Sequence, residues 1–196
     1  MVQVSRRQAI EDVASDLFRE HGYAATSIRD IARALSVQGP SLYAHVTSKE
    51  DVLWAIVDRA ASRFEAAADH AETLAEARRP GDPAEAIAEL VRAHVRVLTD
   101  DVAEAGVFVH EWRSLGSDRR AAILERRDAY QARFTRHIDA GISIGAFAMT
   151  DTSVAVSTTL SALNGVAAWY DPDGRLPASR IADHLADLTL RMLSNG

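Results

Sequence analysis

The sequence predicts an all-α protein of nine helices. Apolar residues recur three and four positions apart along most of the 196-residue chain. Serine, threonine and aspartate stand where helices would start, with glycine or proline at the breaks between them. No stretch sustains the two-residue alternation of a strand; the short segment "FVHEW" comes nearest, inside helical surroundings. Composition is that of an ordinary globular protein, 47% hydrophobic and 26% charged, enough for one moderate domain or two small ones.

The first helix carries Ile10, Val13, Ala14, Leu17 and Phe18 on one face, with Ser5 able to cap its start and Gly22 its end. Thr26 or Ser27 caps a short second helix that turns Ile28, Ile31, Ala32 and Leu35 inward. Ser36 and Val37 form a tight connection. Pro40 suits the first turn of a third helix, where its missing N–H costs nothing, and Leu42 and Val46 dock that helix. "TSKED" opens a fourth helix, to about residue 70, with Glu50 and Asp51 favourable to its dipole. "ARRPGDP" is a break and the expected domain boundary. A fifth helix begins at Asp82-Pro83, a sixth spans roughly 101–114, and a seventh runs from Ser117 to about 144. "GISIGAFAMTD" makes a turn. The eighth helix covers about 151–169 and the ninth about 178–193.

Two short helices with a tight connection, preceded by an amphipathic helix and followed by a longer one, describe a helix-turn-helix. A recognition helix needs only enough apolar residues to dock it, and its other side chains are free to meet DNA. Gln38 and Ser41 suit base edges or phosphates, Pro40 a thymine methyl, and Tyr43 and His45 phosphate oxygens. Lys49 adds a positive charge. Net charge is −6, which by itself argues against nucleic acid. Residues 1–49, however, hold Arg6, Arg7, Arg19, Arg29, Arg33 and Lys49 against Glu11, Asp12, Asp16, Glu20 and Asp30, a balance of +1 on a body of −7.

Residues 6–57 resemble the DNA-binding domain of the TetR family of transcriptional regulators. The resemblance is carried by "DLFREHGYAATSIRDIARAL" and "SLYAHVTSKEDVL", which supply Phe18, Gly22, Tyr23, Thr26, Ser27, Ile31, Ala32, Leu42, Tyr43, His45, Ser48, Lys49 and Glu50 of the family pattern. The chain departs from it at Ser36, in place of a common glycine, at Gly39-Pro40, and at Val46, in place of phenylalanine. The resemblance implies phosphate contacts from Thr26, Tyr43, His45 and Lys49, with Arg29 a weaker candidate. It implies base or groove contacts from Gln38, Gly39, Pro40 and Ser41. It further implies a homodimer on an inverted-repeat operator, repressing until a small-molecule effector shifts the population to a form that cannot hold both half-sites. The expected division is residues 1–49 for DNA, with the helix-turn-helix at about 27–46, then 50–70 as a connecting helix and 71–196 for ligand and dimer.

The last two helices are the candidates for self-association. The eighth is rich in small residues and offers Leu160 and Leu163; the ninth carries Ile181, Leu185, Leu188 and Met192 as a stripe. The body also resembles, more narrowly, regulators that answer to acyl-CoA thioesters. Trp112, Arg119, Arg120, Arg126, Arg127, Tyr130, Phe134, Asn164, Trp169, Tyr170 and Arg175 carry that likeness. An acyl chain needs an apolar tunnel, which Phe108, Trp112, Tyr130, Phe134 and Trp169 could line with Asn164, and a CoA head group needs arginines. The competing reading of the same residues is aromatic core and a solvated arginine face.

No P-loop, GxGxxG, GxSxG or HExxH occurs, so an enzyme is the weaker alternative, and no cofactor or metal is expected. A second alternative is a helical interaction protein that has lost DNA binding. With no cysteine there is no disulfide framework or thiolate metal site, which fits the cytoplasm. Acidic residues interrupt the N-terminal segment, so it does not read as a signal peptide, and no apolar run reaches the length of a membrane span.

Overall fold

The computed structural model describes residues 5–148 and 151–194, without the side chains of Gly39 and Pro40. The described residues form nine α-helices and no strand. These are α1 (Arg6–His21), α2 (Ile28–Ala34), α3 (Gly39–Tyr43), α4 (Lys49–Arg78), α5 (Pro83–Asp100), α6 (Val102–His110), α7 (Ser117–Ser143), α8 (Thr152–Trp169) and α9 (Ala178–Ser194). The expected sixth helix ends early: after His110 the chain tightens into a 3₁₀ turn over Trp112–Ser114. "FVHEW" is the end of α6 and this turn, not a strand.

The chain divides into two compact units. The first holds residues up to Ala61 together with Asp101–Glu125; the second holds Ser62–Asp100 and residues from Arg126 onward. The boundary thus falls within α4 and α7 rather than at "ARRPGDP", which is only the turn between α4 and α5. The fourth helix also runs past residue 70, because Ala71 and Ala75 continue its buried face.

In the first unit α1 packs against α2 and α6, and α2 against α3. Ile10, Ala14, Phe18, Ile31, Leu42, Val46, Val52, Leu53 and Ile56 are buried. Ser5 caps α1 by accepting from the Gln8 N–H, and α2 has a full capping box between Ser27 and Asp30. Hydrogen bonds from the Ser27 hydroxyl and backbone hold the Asp30 carboxyl below the usual carboxylate range.

The second unit packs α5 against α8 and α9 around Ile87, Leu90, Val91, Phe134, Ile138, Val156 and Leu163. Gly141 near the end of α7 lies under the Phe147 ring: a Cβ there would stand 2.1 Å from it, which accounts for this glycine. Met149 and Thr150 of the expected turn lie outside the described residues.

Candidate functional site

The connection between α2 and α3 is a Schellman turn. The Val37 N–H donates to the Ala32 carbonyl and the Ser36 N–H to the Arg33 carbonyl, with Ser36 at φ +56°. That left-handed position usually takes glycine, which is why the departure at Ser36 stands out. Beyond it Leu42 and Val46 are 1% and 2% exposed and anchor α3. Gln38, Ser41, Tyr43 and His45 all face outward, with Tyr43 57% exposed, so Tyr43 is not core packing. Gly39 and Pro40 lie in the first turn of α3, and their side chains are outside the described residues. Arg29 is exposed on α2.

Two expected phosphate ligands are placed differently. Thr26 is 3% exposed, and its hydroxyl donates to the Gly22 carbonyl at 2.9 Å, with the Leu17 carbonyl at 3.3 Å. It is not the cap of α2, which is Ser27; it closes the α1–α2 turn. Lys49 Nζ donates to the carbonyls of Tyr23 and Thr26, each at 2.8 Å, and lies 4.1 Å from the centre of the Tyr23 ring. The ammonium therefore fastens the start of α4 to the α1–α2 turn. Both side chains tie the α1–α2 turn to its neighbours, Thr26 to α1 and Lys49 to the start of α4, and sequence reasoning missed this because it could not see which carbonyls the turn leaves open.

An ion network holds the same unit together. Arg59 on α4 reaches Glu104 on α6, Glu11 on α1 at 2.5 Å and Asp12 at 3.4 Å. Glu11 and Glu104 are buried, 6% and 2% exposed. The Tyr23 N–H also donates to Glu111 Oε1 at 3.2 Å, a second tie to the segment after α6.

The expected effector residues do not share one unit. Phe108 and Trp112 are buried in the first. Tyr130, Phe134 and Asn164 belong to the second, where Phe134 is fully buried in the core. Trp169 is not interior: it is the last residue of α8, at the edge of the face that buries Ala155, Val156, Thr159, Leu163 and Val166, and is 57% exposed. Of the α7 arginines expected to serve a CoA head group, Arg126 is ion-paired within the unit, as are Arg133 and Arg136 of the same helix, which were not among those expected. Arg126 pairs with Glu65 at 2.6 Å, Arg133 with Asp69 and Glu72 at 2.6 Å, and Arg136 with Glu72 at 2.5 Å. Arg119, in the other unit, pairs with Asp51 at 3.4 Å.

In the second unit the aromatic group gains a residue that was not singled out. His94 on α5 is 4% exposed, with its ring centre 4.8 Å from Phe64 and 5.7 Å from Tyr130. Its Nδ1 is 3.0 Å from the Tyr130 hydroxyl. Burial pushes the imidazole down to about 3, with the charge of Arg127 acting the same way and the Asn164 side chain opposing them. Burial likewise pushes the Tyr130 phenol up. A histidine among Leu90, Val91, Val95 and Leu98 was the available signal.

The expected dimer stripe is split. Leu163 and Ile181 are buried in the unit's own core at 1% and 6% exposure, which leaves them little surface to offer a partner; Leu160, Leu185 and Met192 are partly covered by it. Leu188 is 60% exposed, and Val154 and Trp169 on α8 join it as large apolar side chains open to the outside.

Among the described residues no group of histidine and carboxylate side chains could hold a metal, and no helix is long and apolar enough to cross a membrane. Residues 10–56 match the profile "Bacterial regulatory proteins, tetR family", and residues 80–193 the profile "Tetracyclin repressor-like, C-terminal domain". The chain is 34% identical over 134 residues to the transcriptional repressor ComR of Escherichia coli, a match covering 67% of this chain and 62% of that repressor. It is 26% identical over 197 residues to the repressor KstR2 of Mycobacterium tuberculosis, covering 95% and 92%. Its fold superposes on the crystal structure of AibR in complex with isovaleryl coenzyme A and operator DNA with a TM-score of 0.79 at 26% identity, covering 94% and 97%.

Proposed function

The chain belongs to the TetR family of bacterial regulatory proteins, and from that premise we propose how its two units divide the work of a ligand-responsive, DNA-binding repressor. The first unit reads DNA. Gln38, Gly39, Pro40 and Ser41 meet base edges, while Tyr43, His45 and Arg29 meet phosphates. The observation that carries this is Tyr43, a phenol 57% exposed on a helix that Leu42 and Val46 dock completely. Thr26 and Lys49 act at one remove, by holding the turn and helix that aim Tyr43.

The second unit takes the effector, a small and largely apolar molecule. An acyl-CoA thioester is the favoured class, supported by the fold shared with AibR and by the aromatic interior around Phe64, Tyr130 and Phe134. The ion pairs of Arg126, Arg133 and Arg136 weigh against those three side chains as head-group ligands. Two copies associate through α8 and α9, using Leu188 of the expected stripe together with Val154 and Trp169, while Leu163 and Ile181 stay in the unit's own core. The protein works in the cytoplasm, beside its operator.

Fluorescence anisotropy on duplexes tiled across the chain's own upstream DNA tests the reading. Wild type is expected to bind a palindromic tile, with affinity falling steeply as salt rises. Tyr43→Ala is expected to lose that binding with unchanged helicity. Binding to no tile, or binding that ignores both salt and Tyr43, would return the chain to the class of helical interaction proteins.

A further inference from the structure

His94 Nε2 is buried and makes no hydrogen bond of good geometry, although the Asn164 side chain acts on the same imidazole. The Thr159 hydroxyl, on a helix that packs against α5, is a second buried polar atom in the same unit without one. Buried donors without partners are rare in native proteins, since their desolvation is not repaid. Here the atom is presented by a built arrangement. The Tyr130 hydroxyl lies 3.0 Å from Nδ1, and Phe64 and Tyr130 flank the ring. With the phenol O–H donating to Nδ1, the ring proton resides on Nε2, which becomes a buried donor with no well-placed acceptor.

We propose that His94 is the polar anchor of the effector site, donating Nε2–H to an uncharged carbonyl oxygen on an otherwise apolar ligand, with Tyr130 as the positioning residue that fixes its tautomer. This rests on the second unit being the effector unit. The chemistry excludes two ligand types. A hydrocarbon leaves the donor unpaired. A carboxylate must give up its hydration in an interior where the imidazole stays neutral and cannot return a full charge. A thioester, a ketone or an amide meets the donor without either cost.

The test uses the full chain labelled with ¹⁵N-histidine and three probes: isovaleryl coenzyme A, 2-nonanone and nonanoate. At pH 7 His94 is expected as the neutral Nε2–H tautomer. Isovaleryl coenzyme A or 2-nonanone should shift its Nε2 resonance, while nonanoate should not. His94→Phe should weaken binding of the shifting probe about tenfold or more. His94→Gln, which keeps a neutral N–H donor at similar reach, should restore most of it and also guards against a folding defect in the phenylalanine variant. Tyr130→Phe should lower the Nε2–H population. A proton on Nδ1, an Nε2–H that exchanges only with a buried water and answers neither carbonyl probe, or equal binding to His94→Phe would overturn the proposal. If 2-nonanone shifts His94 while isovaleryl coenzyme A does not bind, the acyl-CoA reading fails and the anchor stands. If isovaleryl coenzyme A releases the operator with His94 unmoved, the anchor fails and that reading stands.

Discussion

Ser36 shows how a single residue can carry both a family departure and a physical cost. At φ +56° its side chain crowds the backbone, and the turn between α2 and α3 needs that conformation. Ser36→Gly is therefore expected to raise stability by about 1 kcal/mol, read as a higher urea midpoint. His94 makes a prediction of the opposite kind. Its folded value, about 3, lies below the ordinary histidine value, so the unfolded chain takes up the proton first as pH falls. Stability is then fully present above pH 6.5 and declines below it, at roughly 1 kcal/mol per pH unit down to the folded value. His94→Gln should flatten the slope of unfolding free energy between pH 6 and 4 relative to wild type; an unchanged slope would contradict a buried neutral imidazole. The outward set Gln38, Ser41, Tyr43 and His45 could be read from the sequence, because Leu42 and Val46 define the inward face by spacing alone. Thr26 and Lys49 could not, since their partners are backbone carbonyls whose positions depend on the fold.

At the scale of helices, α1, α4 and α6 meet at Arg59. One guanidinium serves two buried carboxylates, Glu11 and Glu104, that have left water. Arg59→Met would leave both without that partner, and a loss of about 3 kcal/mol in chemical denaturation is expected. Glu104→Gln keeps a polar partner and should cost less. Helix existence and order were legible throughout, because caps and three-four spacing are local signals. Which face of α8 and α9 is internal was not. Both helices are apolar enough on several sides that Leu163 and Ile181, expected at a seam, lie instead in the unit's own core.

For the whole molecule, the exposed Leu188, Val154 and Trp169 predict self-association through α8 and α9. Leu188→Glu should yield a monomer by light scattering at micromolar concentration and weaken operator binding, because one half-site then binds without its mate. A dimer that persists with full operator affinity would move the seam elsewhere. The division of labour between the units rests on coupling between two sites, which thermodynamics requires to be reciprocal. The most direct test titrates operator DNA with and without saturating isovaleryl coenzyme A, and isovaleryl coenzyme A with and without operator. The predicted result is that ligand weakens DNA binding and DNA weakens ligand binding by the same factor, between about 5-fold and 150-fold. Ligand that binds free and DNA-bound protein equally tightly would contradict the account.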